Sequence, residues 1–223
     1  KRGKIVLDTE EGQLASLHEG EGRLLNTLNI INGIRALFEY HLPLKGKKIL
    51  ITAGPTRELI DPVRYISNRS SGKMGFALAE QARDMGGSVI LITGPTNLKT
   101  IPGIKTINIV SVLEMYTSVL KNCVKADYIY MAAAPADYIP SNIAMEKIKR
   151  SKALLSLDLK PAPDILKSIK NKTSASIIAF ALETTDGEKE AKRKMKNKGA
   201  NFIVLNYANE KNSGFESNYN HVT

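Results

Sequence analysis

The sequence predicts an α/β fold with a Rossmann-like, doubly wound, mostly parallel sheet, a long loop after the first strand and a flap or hairpin insertion. The first observation behind this prediction is continuous rather than alternating hydrophobicity, which is typical of strands covered on both faces. It recurs in six short runs rich in β-branched residues, at 47–53, 88–93, 106–110, 127–133, 176–181 and 201–206. The second observation is that helical patterns lie between most of these runs.

Four helical patterns are predicted in this region, at Lys73–Met85, Val112–Lys125, Pro163–Lys170 and Glu188–Lys198. In the first of them, five apolar side chains are expected on one face, namely Met74, Ala77, Leu78, Ala82 and Met85. Gly86 and Gly87 predict its end, and Gly199 predicts the end of the last helix. The phrase ILITAGPT at 49–56 returns as ILITGPT at 90–96, so two strands are expected to end in similar Gly-Pro turns at one edge of the sheet.

Two regions depart from the alternation of strands and helices. Residues 134–160 lack a helix pattern, and the second half of EKIKRSKALLSLDL alternates like an exposed strand, which predicts the flap or hairpin. Residues 1–44 look foreign to the sheet, with an apolar helix pattern from Leu25 to Phe38. We therefore expect two domains, 1–44 and 45–223. Because the chain stops in what reads as a strand, the larger domain is expected to be truncated at its C-terminus.

Composition narrows the classes of function. The chain has 223 residues and is 43% hydrophobic, which suffices for one sizeable domain with appendages. Its net charge of +10 indicates polyanionic partners, namely nucleic acid, anionic lipid or phosphorylated small molecules. The single cysteine, Cys123, excludes an internal disulfide and fits a reducing cytoplasm. No apolar run approaches the roughly 18 residues of a membrane span, so no membrane partner is expected.

The stretch ITAGPTRELIDPVRYISNRSSGKMG, residues 51–75, joins the end of a strand to the start of a helix. It does not fit a Walker loop, because Ser67 stands where the first glycine is needed and Met74 stands where a hydroxyl residue is needed. It does not fit a G-x-G-x-x-G fingerprint either. Ser70, Ser71 and Gly72 are nonetheless expected at a helix start, where free N–H groups and the helix dipole favour an anion. The alternative is a serine N-cap beside solvated arginines. The loop is about 18 residues long, whereas βα connections usually take about 2–6, which favours a functional role.

Five further motifs follow in order: AAAPADY, EKIKR, PAPDIL, FALET and a late K-x-x-x-K before IVLN. Together with residues 51–75 they resemble phosphopantothenate–cysteine ligase, in bacteria one half of a bifunctional decarboxylase/ligase flavoprotein of coenzyme A biosynthesis. The resemblance covers about residues 46–223. It implies that a carboxylate attacks the α-phosphorus of CTP and expels pyrophosphate, after which cysteine attacks the acyl-cytidylate and releases CMP.

The resemblance also implies ligands and partners. CTP with Mg²⁺, 4′-phosphopantothenate and L-cysteine are the expected ligands, and a homodimer in the cytoplasm is the expected assembly. Eukaryotic relatives include ATP users, so the choice of CTP follows from the bacterial character of the motifs.

Individual residues receive roles by the same resemblance. Asn68 matches an asparagine that handles the acyl-nucleotide intermediate, and Lys147 matches a lysine that contacts the CTP phosphates. These two are the expected catalytic residues. Arg64, Ser70, Ser71 and Gly72 are expected to bind the phosphate or carboxylate of the substrate. The expected CTP-binding residues are Ala132, Ala133, Ala134, Asp137, Lys147, Pro163, Asp164, Ile165, Leu166, Phe180, Lys194 and Lys198.

Each assignment has a structural alternative. Asn68 alone is typical of a turn, and Arg64 has Asp61 as a candidate ion-pair partner. The three alanines also suit tight packing, and Phe180 also suits the core. Asp137 either accepts a hydrogen bond from the nucleotide or acts through magnesium, unless it is a turn or capping aspartate.

The basic motifs are also open to two interpretations. Alternation places Lys147 and Lys149 on one face of the flap, which is also typical of a basic surface strand. The Pro-Asp start at 163–164 also makes an ordinary helix N-terminus. Lys194 and Lys198 share a helix face at i,i+4 spacing, and most such pairs form a solvated face.

Near the N-terminus, GQLASLHEGEGRL resembles the end of the decarboxylase half, which normally reads LACGxxGxGRM. Ser16 stands at the position of the proton-donating cysteine, and Leu17 replaces the next glycine. The flavin-binding body of that half is absent from this sequence, so FMN and decarboxylation are expected only upstream, in the decarboxylase half of a full-length protein. At the other end, GFESNYNHVT resembles a segment that normally continues into another strand and a final helix.

Two other function classes compete with the ligase. A basic nucleic-acid-binding domain would explain the net charge, but aromatics are only 6%, tryptophan is absent, and no helix-turn-helix, RRM or zinc spacing occurs. Nucleic acid is therefore not an expected partner. A nicotinamide-dependent oxidoreductase is suggested by fold alone, and the missing glycine fingerprint counts against it.

Overall fold

The computed structural model describes residues 6–7, 9–13, 19–39, 42–150, 154–183 and 187–207. The chain divides into two compact units, Lys1–Pro43 and Leu44–Thr223. In the smaller unit, strands β1 (Glu10–Gln13) and β2 (Glu19–Arg23) pair antiparallel and helix α1 (Thr27–Glu39) follows. The helix confirms the apolar pattern, whereas the strand pair was not predicted. The decarboxylase-like position Ser16 and the C-terminal segment 208–223 lie outside the described residues.

The larger unit alternates strands and helices along the chain. Its elements are β3 (Lys48–Ala53), β4 (Arg57–Leu59), β5 (Tyr65–Ser67), α2 (Lys73–Asp84), β6 (Ser88–Thr93), β7 (Lys105–Asn108), α3 (Val112–Cys123), β8 (Tyr128–Met131), β9 (Tyr138–Pro140), β10 (Leu159–Pro161), α4 (Ile165–Ile169), β11 (Ser176–Glu183), α5 (Gly187–Lys198) and β12 (Phe202–Tyr207). All six predicted strands and all four predicted helices of this unit are present, with ends shifted by a few residues.

Six of these strands form one parallel sheet in the order β12-β11-β8-β3-β6-β7. The chain enters at the central strand β3, builds outward through β6 and β7, and then crosses to β8, β11 and β12. This is a doubly wound order, so the predicted fold class is confirmed. The direction reverses between β3 and β8, and ligands in such sheets bind where the loops leaving that pair of strands diverge.

The two faces of the sheet explain why the strands read as continuous apolar runs. Leu50 belongs to a core cluster that includes α3 and α4, whereas its neighbours Ile49 and Ile51 belong to a second cluster with α2. Because successive side chains of a strand point to opposite faces, every position of β3 after Lys48 is buried. Apolar residues are therefore required at each position rather than at every second one.

The face that α2 buries differs from the one predicted. The buried residues are Gly75, Phe76, Ala79 and Ala82, while Met85 is exposed and Ala77 faces solvent. The helix approaches the sheet closely at Gly75, where an added methyl group would lie 2.5 Å from the Ala53 side chain. A pattern based on hydrophobicity alone selects the large side chains and misplaces the face by part of a turn.

Two short antiparallel pairs interrupt the main sheet. Strands β4 and β5 form a hairpin inside the long loop after β3, and β9 pairs with β10 at the base of the flap. The predicted flap is thus confirmed, and the described part of its alternating segment forms no strand before β10 begins at Leu159. None of the helices in the described residues is both long and apolar enough to cross a membrane.

Candidate functional site

The loops leaving β3 and β8 are joined at the carboxyl edge of the sheet, where the strand order reverses. Pro55 and Ala134 form an isolated parallel bridge. Buried threonine hydroxyls and a backbone carbonyl accept hydrogen bonds from residues 132–136, which we call the alanine segment. These bonds are Ala133 N to Thr52 Oγ1 (3.2 Å), Ala134 N to Gly54 O (2.9 Å) and Ala136 N to Thr56 Oγ1 (3.0 Å). The predicted alanine segment is therefore fixed directly against the first loop.

Asn68 lies at this junction and is exposed. Its Nδ2 donates to the carbonyl oxygens of Ala134 (3.2 Å) and Pro135 (2.9 Å), across 66 residues of sequence. An amide group has two N–H bonds, so both are used, and two carbonyl partners fix the orientation of the amide. The amide N–H groups therefore hold the alanine segment, and Oδ1 is the atom left to interact with a ligand.

A cavity of about 530 Å³ lies between the long loop and the turn after β6, and we call it the basic pocket. Three cationic residues line it, Arg57, Arg69 and Lys73. The Arg57 guanidinium stacks over the Tyr65 ring at 4.7 Å from its centroid. Asn68 also lines this cavity, so the junction with the alanine segment forms part of its wall. A concave site with clustered positive charge is suited to a phosphate or carboxylate.

The start of α2 forms another part of the basic pocket. The N-cap is Gly72 rather than a serine, with φ of 78°, and no side chain makes a capping hydrogen bond. Ser71 Oγ accepts only a long hydrogen bond of 3.4 Å from Lys73 N. The alternative of an ordinary serine N-cap is therefore wrong. The N-cap position of α2 supplies no side-chain acceptor, and N–H groups at a helix start favour a bound anion.

The repeated Gly-Pro turns pack against each other beside the basic pocket. A methyl group at Gly94 would overlap the carbonyl oxygen of Pro55, and one at Gly72 would lie 2.8 Å from the Thr96 side chain. The two turns therefore lie at the same edge of the sheet, as the repeat predicted. Their contact brings Thr96 and its neighbours into the wall of the cavity.

The long loop is also attached to α3. Glu58 is 5% exposed, and its carboxylate accepts a hydrogen bond from Val112 N at 2.9 Å, at the start of that helix. Arg57 N donates to the carbonyl of Val110 at 2.8 Å. A carboxylate at a helix N-terminus is favoured by the helix dipole. The hairpin that carries Arg57 is thus held in place by the body of the domain.

Several expected CTP-binding residues meet around the start of α4. Asp164 is the N-cap of α4 and accepts from Lys167 N at 3.0 Å. Lys198, in the last turn of α5, places its Nζ 3.3 Å from Asp164 Oδ2. The carbonyl of Asp137 accepts from Ala162 N at 2.8 Å, next to the Pro163–Leu166 turn. Segments distant in sequence therefore converge here, and the helix-start interpretation of Asp164 is also correct.

Two of the remaining expected nucleotide residues are half-buried, and a third lies in the core. Phe180 follows the paired residues Ala179 and Met131, so it continues the register beside Ala132, and it is half-buried and outside the core clusters. Lys194 is half-buried as well. Ile165 is only 4% exposed and belongs to the core, so its side chain packs rather than faces a ligand.

Lys147 lies on the flap and is exposed, as is Lys149. The predicted strand with both lysines on one face is not formed, because the backbone N–H and C=O of Ile148 bond to side chains of the long loop instead. Among the described residues, no hydrogen bond or ion pair joins Lys147 directly to Asp137 or Phe180. The expected ion pair of Arg64 with Asp61 is present, at 3.5 Å between Nε and Oδ2.

Sequence reasoning left Arg57, Tyr65, Arg69 and Lys73 out of the expected site. All four lie within residues 51–75, and their clustering in that stretch is a signal that the sequence offers. Thr96 and its neighbours were missed although the repeated Gly-Pro phrase pointed to that turn. Which arginines turn inward depends on the β4–β5 hairpin, which no apolar pattern predicts.

Comparison with known proteins identifies a family for the larger unit. The family described as DNA/pantothenate metabolism flavoprotein C-terminal domain matches residues 44–223. The coenzyme A biosynthesis bifunctional protein CoaBC of Vibrio parahaemolyticus is 39% identical over 227 residues, covering 100% of this chain and 57% of that relative. The chain thus spans little more than half the length of this relative.

Solved structures give the same result. The crystal structure of the C-terminal domain of a CoaBC protein is 42% identical, covers 73% of this chain and 78% of that chain, and has a TM-score of 0.65. A Cab2 variant in complex with phosphopantothenate-cysteine is 19% identical, covers 80% of each chain and has a TM-score of 0.64, which shows a shared fold. The chain therefore belongs to the family of DNA/pantothenate metabolism flavoprotein C-terminal domains.

Proposed function

We propose that this chain carries a ligase that joins 4′-phosphopantothenate to L-cysteine with CTP, through an acyl-cytidylate, in coenzyme A biosynthesis. The observation that carries the proposal is the junction at Asn68, where an amide that lines the basic pocket bonds to the alanine segment expected to bind the nucleotide. Membership of the family and the CoaBC relatives support it. The ligand described for Cab2 is the product that this reaction would form.

In this proposal, the two sides of Asn68 bind the two substrates. The basic pocket takes the phosphate of phosphopantothenate, with Arg57 and the first N–H groups of α2 as donors. CTP occupies the side formed by the alanine segment, Asp137, the Pro163–Leu166 turn, and Lys194 and Lys198 of α5. Lys147 approaches the triphosphate from the flap. The carboxylate of phosphopantothenate then meets the α-phosphorus of CTP near Asn68.

The chemistry has two steps. A carboxylate oxygen bonds to the α-phosphorus, and the bond from that phosphorus to pyrophosphate breaks. The cysteine amine then bonds to the acyl carbon, the bond from that carbon to CMP breaks, and the amine loses a proton. Positioning and charge neutralisation supply most of the rate in such reactions. Asn68 Oδ1 is an acceptor, which suits an N–H of the attacking amine.

Magnesium enters the proposal with the nucleotide. Among the described residues, no group of three or more carboxylates, imidazoles or thiolates could hold a metal ion. We therefore assign Mg²⁺ to the phosphate oxygens of CTP, so that the substrate is the magnesium complex. The resemblance places FMN in a decarboxylase half, and the reaction proposed here does not use it. A homodimer in the cytoplasm, also expected from the resemblance, remains part of the proposal.

A product assay tests the proposed function. With phosphopantothenate, cysteine and Mg·CTP, we expect one pyrophosphate and one CMP for each phosphopantothenoylcysteine formed. Without cysteine, pyrophosphate should appear only in an amount similar to that of the enzyme. In parallel thermal-shift measurements, CTP should stabilise the protein more than ATP, NADH or a short DNA duplex. Stabilisation by the duplex alone, without pyrophosphate release, would instead support the nucleic-acid-binding alternative.

Replacing Arg57 with alanine tests the assignment of the basic pocket. Losing one charge-assisted hydrogen bond, worth about 1.5–3 kcal/mol, should raise the KM for phosphopantothenate roughly 10- to 100-fold. The KM for CTP should change less than about twofold, because Arg57 lies on the other side of Asn68 in this assignment. Lys121→Ala, which removes the same charge from α3, is the control. Equal increases in both KM values would contradict the assignment.

A further inference from the structure

We propose that Asp61 and Arg64 act as positioning residues, which clamp the peptide at Ile148 and thereby fix where the flap presents Lys147. The inference rests on the proposed function for the role of Lys147. The clamp itself rests on hydrogen bonds and burial alone. We call these three residues the flap clamp.

Asp61 is the centre of the flap clamp, and its side chain is fully buried. Its Oδ1 accepts from the backbone N–H groups of Val63 and Arg64, both at 2.8 Å. Its Oδ2 accepts from Ile148 N at 3.2 Å and lies 3.5 Å from Arg64 Nε. One oxygen therefore shapes the loop turn, and the other holds the flap.

Arg64 completes the clamp from the opposite side of the same peptide. Its Nη2 donates to the carbonyl oxygen of Ile148. The ion pair thus holds both the N–H and the C=O of one flap residue. A second bond, from Ala144 N to Ile60 O at 3.0 Å, attaches the flap four residues earlier. Lys147 and Lys149 flank the clamped residue and are exposed.

The ionised state of Asp61 keeps the clamp closed at neutral pH. Burial raises the pKa of this carboxyl group, but hydrogen bonds from three backbone N–H groups and the charge of Arg64 outweigh burial and lower the pKa below its usual value. A carboxylate with a lowered pKa gives stability that is present above the unfolded-state pKa and is lost as pH falls through the folded-state pKa. Burying a charge is costly unless it is paired and hydrogen-bonded, as it is here.

Asp61→Asn opens one side of the clamp selectively. The new side chain can still accept from Val63 and Arg64 through its oxygen, but its NH₂ group then faces the Ile148 N–H and the guanidinium. We expect trypsin to cleave after Lys147 and Lys149 at least tenfold faster, as mapped by mass spectrometry. Cleavage after the exposed Lys99 should change less than twofold, which excludes general unfolding as the cause.

Kinetic measurements then distinguish a role in placing Lys147 from a role in supporting the fold alone. Asp61→Asn should lower kcat/KM for CTP at least tenfold in the wild-type background and less than twofold in a Lys147→Ala background. Asp84→Asn, which makes the same chemical change on the surface of α2, should leave both readouts unchanged. If Asp61→Asn does not fold, Arg64→Lys tests the same clamp, because it keeps the charge but loses the bond to the Ile148 carbonyl.

The outcomes are distinguishable. Faster cleavage at the flap with unchanged kinetics would overturn the positioning role. Equal acceleration at Lys99 and at the flap would overturn the clamp, since Asp61 would then support the whole domain. A wild-type protein without CTP-dependent turnover would overturn the proposed function and the positioning role together, while the cleavage experiment would still decide the clamp.

Discussion

Asn68→Asp is expected to lower product formation about 100-fold or more while CTP still binds. The aspartate cannot donate, so its carboxylate oxygens would face the carbonyl oxygens of Ala134 and Pro135, which now accept from Nδ2 at 3.2 and 2.9 Å. The alanine segment would lose its link to the long loop, and a negative charge would appear beside the phosphates. A misplacement of about 1 Å within an active site can cost about 100-fold in rate.

The measurement follows pyrophosphate and CMP separately. In the first turnover we expect CMP release to fall more than pyrophosphate release, because passage through the acyl-cytidylate is impaired, and CTP titration should give a similar Kd. Asn122→Asp is the matched control, since Asn122 also donates its amide to a carbonyl, that of Ser118 at 2.7 Å, within α3. Unchanged turnover in Asn68→Asp would remove Asn68 from the mechanism.

Gly94→Ala is expected to lower the free energy of unfolding by about 3 kcal/mol or more, because overpacking usually costs about 1–3 kcal/mol and this contact is severe. The added methyl group would overlap the carbonyl oxygen of Pro55. The obstacle is backbone, so rotation of a side chain cannot relieve it. The two Gly-Pro turns would have to separate, and this would disturb the bridge between Pro55 and Ala134.

Urea denaturation measures this loss. Gly46→Ala is the control, because Gly46 has φ of 78° but no atom lies within 4 Å of an added methyl group. The left-handed backbone alone should cost about 1–2 kcal/mol there. If both variants lose the same free energy, the contact between the turns is not what requires glycine at position 94.

The sheet could be predicted from the sequence because each strand is buried on two faces. Ile49, Leu50 and Ile51 alternate between two cores, which makes the apolar run continuous and easy to recognise. The β4–β5 hairpin could not be predicted, since its strands are three residues long and lie in a polar loop. The orientation of α2 was missed because small residues set its contact with the sheet.

The sequence predicted several residues of the site but not how they are arranged. The resemblance supplied Asn68 and the alanine segment, yet the bond between them spans 66 residues and could not be predicted from the sequence. The clamp between Asp61 and Ile148 spans 87 residues, so it required the fold. The basic pocket depended on Arg57 turning toward Tyr65, which is a property of the hairpin register.

Gly72, the N-cap residue of α2, affects how the protein resists heat and denaturant. Under the proposed function, a substrate phosphate would serve as the missing cap, so occupancy and folding would share the same amide groups. Ligand at about 100 times its Kd would add roughly 2.7 kcal/mol to the stability. Without phosphopantothenate, the protein would then be both inactive and easier to degrade.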